Sequence, residues 1–233
     1  MLFAQQPRWG GRPLGQRVQV PQTAIGVALI AGLNSDHTLF RAFIPRLAEH
    51  YQVIVLDNRG IGQSGGAASA FTIEALADDT AGLLQELGLT GVHVLGVSLG
   101  GRISAALALQ HADLVSTCLE PPPRTWHQRA VGLVLRLPFI RNGNADSVVR
   151  RQRAARRRFN VTDRLHQIRV PTLLLVGRKD RLAPRALVQT MHERIAGSRL
   201  ITFEGGHLVF LRRATLFLDT VLAFLAAIDD AGS

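Results

Sequence analysis

Residues 92–101 read VHVLGVSLGG. Apart from His93 the first positions are apolar, as in a strand covered on both faces. A helical pattern, LGGRISAALALQ, follows at once over 99–110. Between the two lies Gly96-Val97-Ser98-Leu99-Gly100, a G-x-S-x-G set at a strand-to-helix turn. That context gives the motif its meaning, because a serine on so sharp a turn projects its hydroxyl above the sheet. Gly96 and Gly100 carry no Cβ to collide across the turn. The helix aims its first N–H groups at the serine, and Leu99 N–H is placed to donate to an oxyanion. A small-residue turn without chemistry is the competing explanation, and the flanking strand and helix argue against it.

Outward from this stretch the chain alternates short apolar runs with amphipathic ones. Runs at 26–31, 52–56, 92–97, 115–119, 171–176 and 199–203 predict buried strands. Helical patterns fill 39–49, 73–87, 99–110, 184–195 and about 214–228. Alternation of this kind implies an α/β fold, a mostly parallel central sheet with helices on both faces. Residues 121–168 break the rhythm. They open with Pro121, Pro122 and Pro123, which block a regular element, and hold no convincing strand. The expected organisation is a core of 1–120 and 169–233, interrupted by a short helical cap insertion over 121–168.

The composition fits a folded chain, with 47% hydrophobic and 19% charged residues among 233. A lone cysteine, Cys118, excludes an intramolecular disulfide framework and suits a reducing compartment. The first residues show no apolar signal-peptide core, and no uncharged run is long enough to span a membrane. A cytoplasmic location is the expectation. The formal charge is +10, and Lys179 is the only lysine. Six arginines crowd residues 150–158, RRQRAARRR. Such a run is most simply a solvated face of a cap helix. Its sharper meaning is a dock for an acidic carrier protein or an anionic surface. With Phe159 alone for aromatic interleaving, no nucleic acid is expected.

A serine hydroxyl needs a general base. Serines on such elbows are served by an acid and then a histidine, in that chain order. Of His111, His127, His166, His192 and His207, only His207 sits in a loop between a strand and a helix, behind Gly205 and Gly206. It is the expected base. Asp180, just beyond the strand at 171–176, is the expected acid, with Glu120 at the end of the preceding strand as its rival. The second oxyanion donor is expected from the loop after residues 26–31, at Leu33 N–H, where Gly32 permits close approach.

These blocks carry a family resemblance. Residues 31–36 (AGLNSD), 57–64 (DNRGIGQS), 96–101 (GVSLGG), 177–180 (GRKD) and 205–207 (GGH) stand in the order of the α/β-hydrolase superfamily. The chain most resembles the small bacterial esterase, lactonase and haloperoxidase-like branch, over about residues 25–228. The resemblance implies structural roles for Asp57 and Arg59. Ala31 stands where the family's oxyanion block has histidine, and the family's N-terminal hairpin is weakly marked in residues 1–20. The implied chemistry is hydrolysis of a small-molecule acyl ester through an acyl-enzyme on Ser98, with no metal and no organic cofactor. A lactonase, thioesterase, C–C hydrolase or perhydrolase on the same scaffold is the alternative, and a non-catalytic binding or signalling module a further one.

Overall fold

A computed structural model describes residues 8–9, 12–13, 16–17, 25–65, 68–120 and 146–232. Its main sheet contains β3 (Gln16–Arg17), β4 (Gly26–Ile30), β5 (Gln52–Leu56), β6 (Val92–Gly96), β7 (Val115–Glu120), β8 (Thr172–Gly177) and β9 (Arg199–Phe203). The order across the sheet is β3-β5-β4-β6-β7-β8-β9. All neighbours are parallel except β3, which runs antiparallel to β5. Ahead of it, β1 (Arg8–Trp9) and β2 (Arg12–Pro13) form a two-stranded antiparallel pair. The weakly marked N-terminus thus has short strands, two residues each, too brief for any sequence period to reveal.

Side-chain alternation divides the core between the two sheet faces. Ala28, Ile30, Val92 and Val94 pack with Leu76 and Leu84 of α2 (Ile73–Glu86) and Ile103 and Leu107 of α3 (Leu99–Gln110). Val27, Leu29, Val53 and Val55 pack on the other face. There they meet Leu47 of α1 (Ile44–Leu47), and Phe217, Val221 and Leu225 of α7 (Ala214–Gly232). The near-continuous apolar strands follow from this double cover. β9 is the exception: Arg199, Ile201 and Thr202 are exposed because it is an edge strand.

The run at 39–49 is not one helix. It divides into a 3₁₀ turn, His37–Phe40, and α1, whose first turn holds Pro45; proline cannot continue a preceding helical ladder. Residues 121–145 of the expected cap lie outside the described residues. The rest of it forms α4 (Asp146–Arg158) and a 3₁₀ turn, Thr162–Gln167. After β8 come α5 (Arg185–Arg194) and, beyond β9, the short α6 (Val209–Arg212).

Candidate active site

The strand order places the site. β4 and β6 are neighbours, yet the chain leaves β4 toward the α1 face and β6 toward the α3 face. Diverging connections open a crevice at the carboxyl ends of adjacent strands, where open α/β sheets bind ligands. Ser98 and the Leu33 loop both lie at this crevice.

Ser98 is the turn residue between β6 and α3, with φ +60° and ψ −103°. A non-glycine residue there is strained, at a cost of about 1–3 kcal/mol that the surroundings must offset. Two glycines make the turn feasible. A Cβ on Gly96 would collide with Gly100 C and O and with Ser104 Oγ. A Cβ on Gly100 would collide with Ile30 O and lie 2.7 Å from Ile30 C. The elbow is therefore pressed onto β4, and Val97 N–H donates to Ile30 O at 3.0 Å.

The loop after β4 closes on the same turn. A Cβ at Gly32 would stand 3.2 Å from Val97 O and 3.5 Å from Ser98 Cβ. Ser35 N–H donates to Gly32 O at 3.2 Å, and Asn34 takes φ +58°. The block at 57–64 supports this loop. The Asp57 carboxylate accepts from His37 N–H at 2.7 Å and Gln63 N–H at 3.0 Å, and Asn58 Nδ2 donates to Ala31 O at 3.2 Å. Arg59 forms a two-pronged ion pair with Asp79, which holds its guanidinium pKa above the ordinary value. Both residues of the block thus have structural partners. Gly100 N–H is taken by Val97 O at 2.9 Å. The N–H groups of Leu33 and Leu99 have no hydrogen bond among the described residues.

Asp180 and His207 meet. His207 Nδ1 lies 2.8 Å from Asp180 Oδ2, while Asp180 Oδ1 accepts from Leu182 and Ala183 N–H at 2.8 and 2.9 Å. The carboxylate is thus fixed by backbone donors and directed at one ring nitrogen. Their loops are tied together, with Lys179 N–H donating to Gly205 O at 2.7 Å. Gly177 is required there, since its Cβ would stand 2.5 Å from Gly206 O. Ser98 shares this carboxyl end of the sheet, but no hydrogen bond joins it to His207 among the described residues. Glu120 ends β7, and its side chain lies outside the described residues, as does His127. His111 pairs with Asp78 at 2.8 Å, His192 with Ser198 at 2.9 Å, and His166 is exposed.

The sequence gives no sign of one contact at this site. Gln152, fully buried on α4, accepts through Oε1 from Asn34 N–H at 2.9 Å. A spacing rule reports neighbours along one element, and this pair is 118 residues apart. On α4, Val148, Val149, Gln152 and Ala155 form the buried stripe, while Arg150, Arg157 and Arg158 are exposed. Arg156 is half-buried, and burial holds its pKa below the ordinary value, helped by Arg157 and Arg153. Among the described residues no group of three or more His, Cys, Asp or Glu could hold a metal ion. No helix among them is long and apolar enough to cross a membrane.

Two family models match this arrangement. One, for the alpha/beta hydrolase fold, covers residues 27–126, and the other, serine hydrolase (FSH1), covers residues 91–212, more than half of the chain. The chain belongs to the α/β-hydrolase superfamily. Among its relatives is the pimeloyl-[acyl-carrier protein] methyl ester esterase of Neisseria meningitidis serogroup A, 29% identical over 94% of this chain and 82% of the relative. An esterase from Exiguobacterium antarcticum superposes with a TM-score of 0.80 at 24% identity, over 93% of this chain and 96% of that one. An enol-lactonase from Burkholderia xenovorans does so with a TM-score of 0.79 at 23% identity, over 93% and 98%. These two likenesses concern the fold. With the serine hydrolase model and the esterase relative, the chain is a carboxylic ester hydrolase, as the sequence predicts.

Proposed function

We propose that this hydrolase works through an acyl-enzyme on Ser98, with His207 as base and Asp180 as its orienting acid. The observation that carries the proposal is the 2.8 Å approach of His207 Nδ1 to the backbone-anchored Asp180, at the carboxyl end of the sheet that also bears the strained Ser98 turn. A carboxylate at Nδ1 selects the tautomer with its proton on that nitrogen. The Nε2 lone pair is then available to take the proton of Ser98. As Oγ attacks the acyl carbon, Leu33 and Leu99 N–H receive the oxyanion. The tetrahedral species collapses, and the leaving alcohol departs with the proton held on Nε2. Water, deprotonated by the same nitrogen, attacks the acyl carbon; the C–Oγ bond breaks, Oγ takes the proton back from Nε2, and the carboxylic acid leaves.

The exposed Arg150, Arg157 and Arg158 favour a substrate presented by an acidic partner. The meningococcal relative's name, a methyl ester esterase of a pimeloyl-acyl-carrier protein, supports the same choice. The finer proposal is an acyl ester borne on an acidic carrier protein, with docking at residues 150–158 of the cap.

The test is hydrolysis of p-nitrophenyl acetate, butyrate and octanoate by wild type and by Ser98→Ala, with fluorophosphonate labelling in parallel. The expected result is labelling at Ser98 and a fall in kcat by at least ~10³-fold in the variant. Turnover that survives in Ser98→Ala overturns the mechanism.

A further inference from the structure

Gln152 holds an unusual position. Its residue is 0% exposed and stands on the cap helix, yet its amide reaches the loop that carries Leu33. Oε1 accepts from Asn34 N–H, and Nε2 is buried with no hydrogen-bond partner among the described residues. The amide orientation is not arbitrary. Turning it over would set a donor against the Asn34 donor. A glutamine that satisfies one backbone donor and strands one of its own gains little for stability. Breaches of this kind concentrate where function requires them.

The position of the satisfied donor matters. Asn34 follows Leu33, in the left-handed region at φ +58°, where an asparagine is tolerated and most residues are not. With its φ fixed and its N–H held at 2.9 Å, Asn34 sets the peptide plane that joins it to Leu33. The direction of the Leu33 N–H depends on the adjoining geometry. Gly32, on the same loop, runs so close to the elbow that a Cβ there would stand 3.2 Å from Val97 O.

We propose that Gln152 is a positioning residue for the oxyanion loop: the cap helix holds Asn34 N–H through Gln152 Oε1, and so aims the Leu33 N–H at the developing oxyanion. This rests on the Ser98 mechanism proposed above. Gln152 touches neither substrate nor reacting atoms. The cap is thereby part of the catalytic geometry as well as a cover.

The test compares Gln152→Met, which removes the acceptor, with Gln152→Glu, which keeps one. Three readouts are taken on the full chain: melting, steady-state hydrolysis of p-nitrophenyl butyrate, and amide exchange of a peptide spanning residues 32–36. Loss of one well-aimed oxyanion donor costs about 10²–10³ in kcat, and a misaimed one less. Gln152→Met is expected to lower kcat roughly 10–100-fold with KM within threefold, and to speed exchange of 32–36 at least tenfold. Gln152→Glu is expected to return that exchange to within about threefold of wild type. If Gln152→Met melts lower but keeps its kcat, the role is structural and the proposal fails. Unchanged exchange at 32–36 also overturns it. Wild type and Ser98→Ala are assayed alongside. A wild type without Ser98-dependent turnover refutes the mechanism instead, and the exchange data alone then decide whether Gln152 holds the loop.

Discussion

Replacing Gly100 by alanine tests the claim that the elbow is seated on β4 by bare backbone contact. The added Cβ would collide with Ile30 O, stand 2.7 Å from Ile30 C and 3.0 Å from Ala31 O. These are main-chain atoms of a wholly buried central strand and its next residue, so no side-chain rotation relieves them. Ordinary carbon contacts lie at about 3.5–4.0 Å, so the elbow must withdraw by about 1 Å. Overpacking of this kind costs about 1–3 kcal/mol, which lowers Tm by roughly 2–4 °C per kcal/mol in a chain of this size. A 1 Å misplacement of a reacting group costs about 10² in rate. Gly82→Ala is the control, an exposed position within α2 with nothing inside 4 Å of the added Cβ. It should gain about 0.5–1 kcal/mol from the lost flexibility of glycine. The assay is thermal melting together with the rate of fluorophosphonate labelling and p-nitrophenyl butyrate turnover. The reasoning is refuted if Gly100→Ala melts with wild type and turns over within threefold of it.

Three further outcomes are expected. Asp180→Asn should lower kcat by about 10⁴-fold, as loss of the orienting carboxylate does in a triad, and Glu120→Gln should leave it near wild type; a larger loss in the second exchanges their roles. His93 is wholly buried between Thr117 and Asp229, and burial holds its pKa below the ordinary value against the opposing pull of Asp229. The unfolded chain then takes up the proton first, so stability is complete above about pH 6.5 and falls below it by up to ~1.4 kcal/mol per pH unit; melting of His93→Gln between pH 5 and 7 should lack that slope. Arg150→Glu with Arg157→Glu should raise KM for an ester on an acidic carrier protein at least tenfold and leave p-nitrophenyl butyrate unaffected, and equal effects on both substrates dismiss the dock.

The parallel strands β4–β9 and the helices at 73–87 and 99–110 are readable from the chain because burial on both faces imposes long apolar runs and strict periods. Pro45 was the visible sign that 39–49 would divide, and it is outweighed by the apolar spacing around it. β9 carries the same apolar signal as its neighbours although it is an edge. Sequence pattern reports what a strand could bury, and the strand order decides what it does bury. His207 and Asp180 are legible because each follows a strand end directly, and parallel strands bring all such ends to one side of the sheet. Gln152 sits in an arginine run whose composition points to solvent. Its partner is fixed by the tertiary path of the cap, which no local period encodes. His93 is hidden for the same reason, being one polar letter in a strand whose partner Asp229 is 136 residues away.

The geometry of α4 separates two tasks on one helix. At about 100° per residue, Arg150, Arg157 and Arg158 lie roughly 120–160° around the axis from Gln152. The arginines face outward and the glutamine faces the loop that carries Leu33 and Asn34. A partner engaged by the arginines is therefore recognised on the side of the helix remote from the chemistry, and the loop is held from the other. The two proposals then make opposite kinetic signatures on neighbouring residues. Charge reversal at Arg150 and Arg157 acts on KM, and only for the carrier-borne ester, because the small ester never meets that face. In the proposed mechanism truncation at Gln152 acts on kcat, and equally for both substrates, because the same loop receives both oxyanions. A helix that served as cover alone would show neither pattern, and one whose disruption loosened the whole site would mix the two.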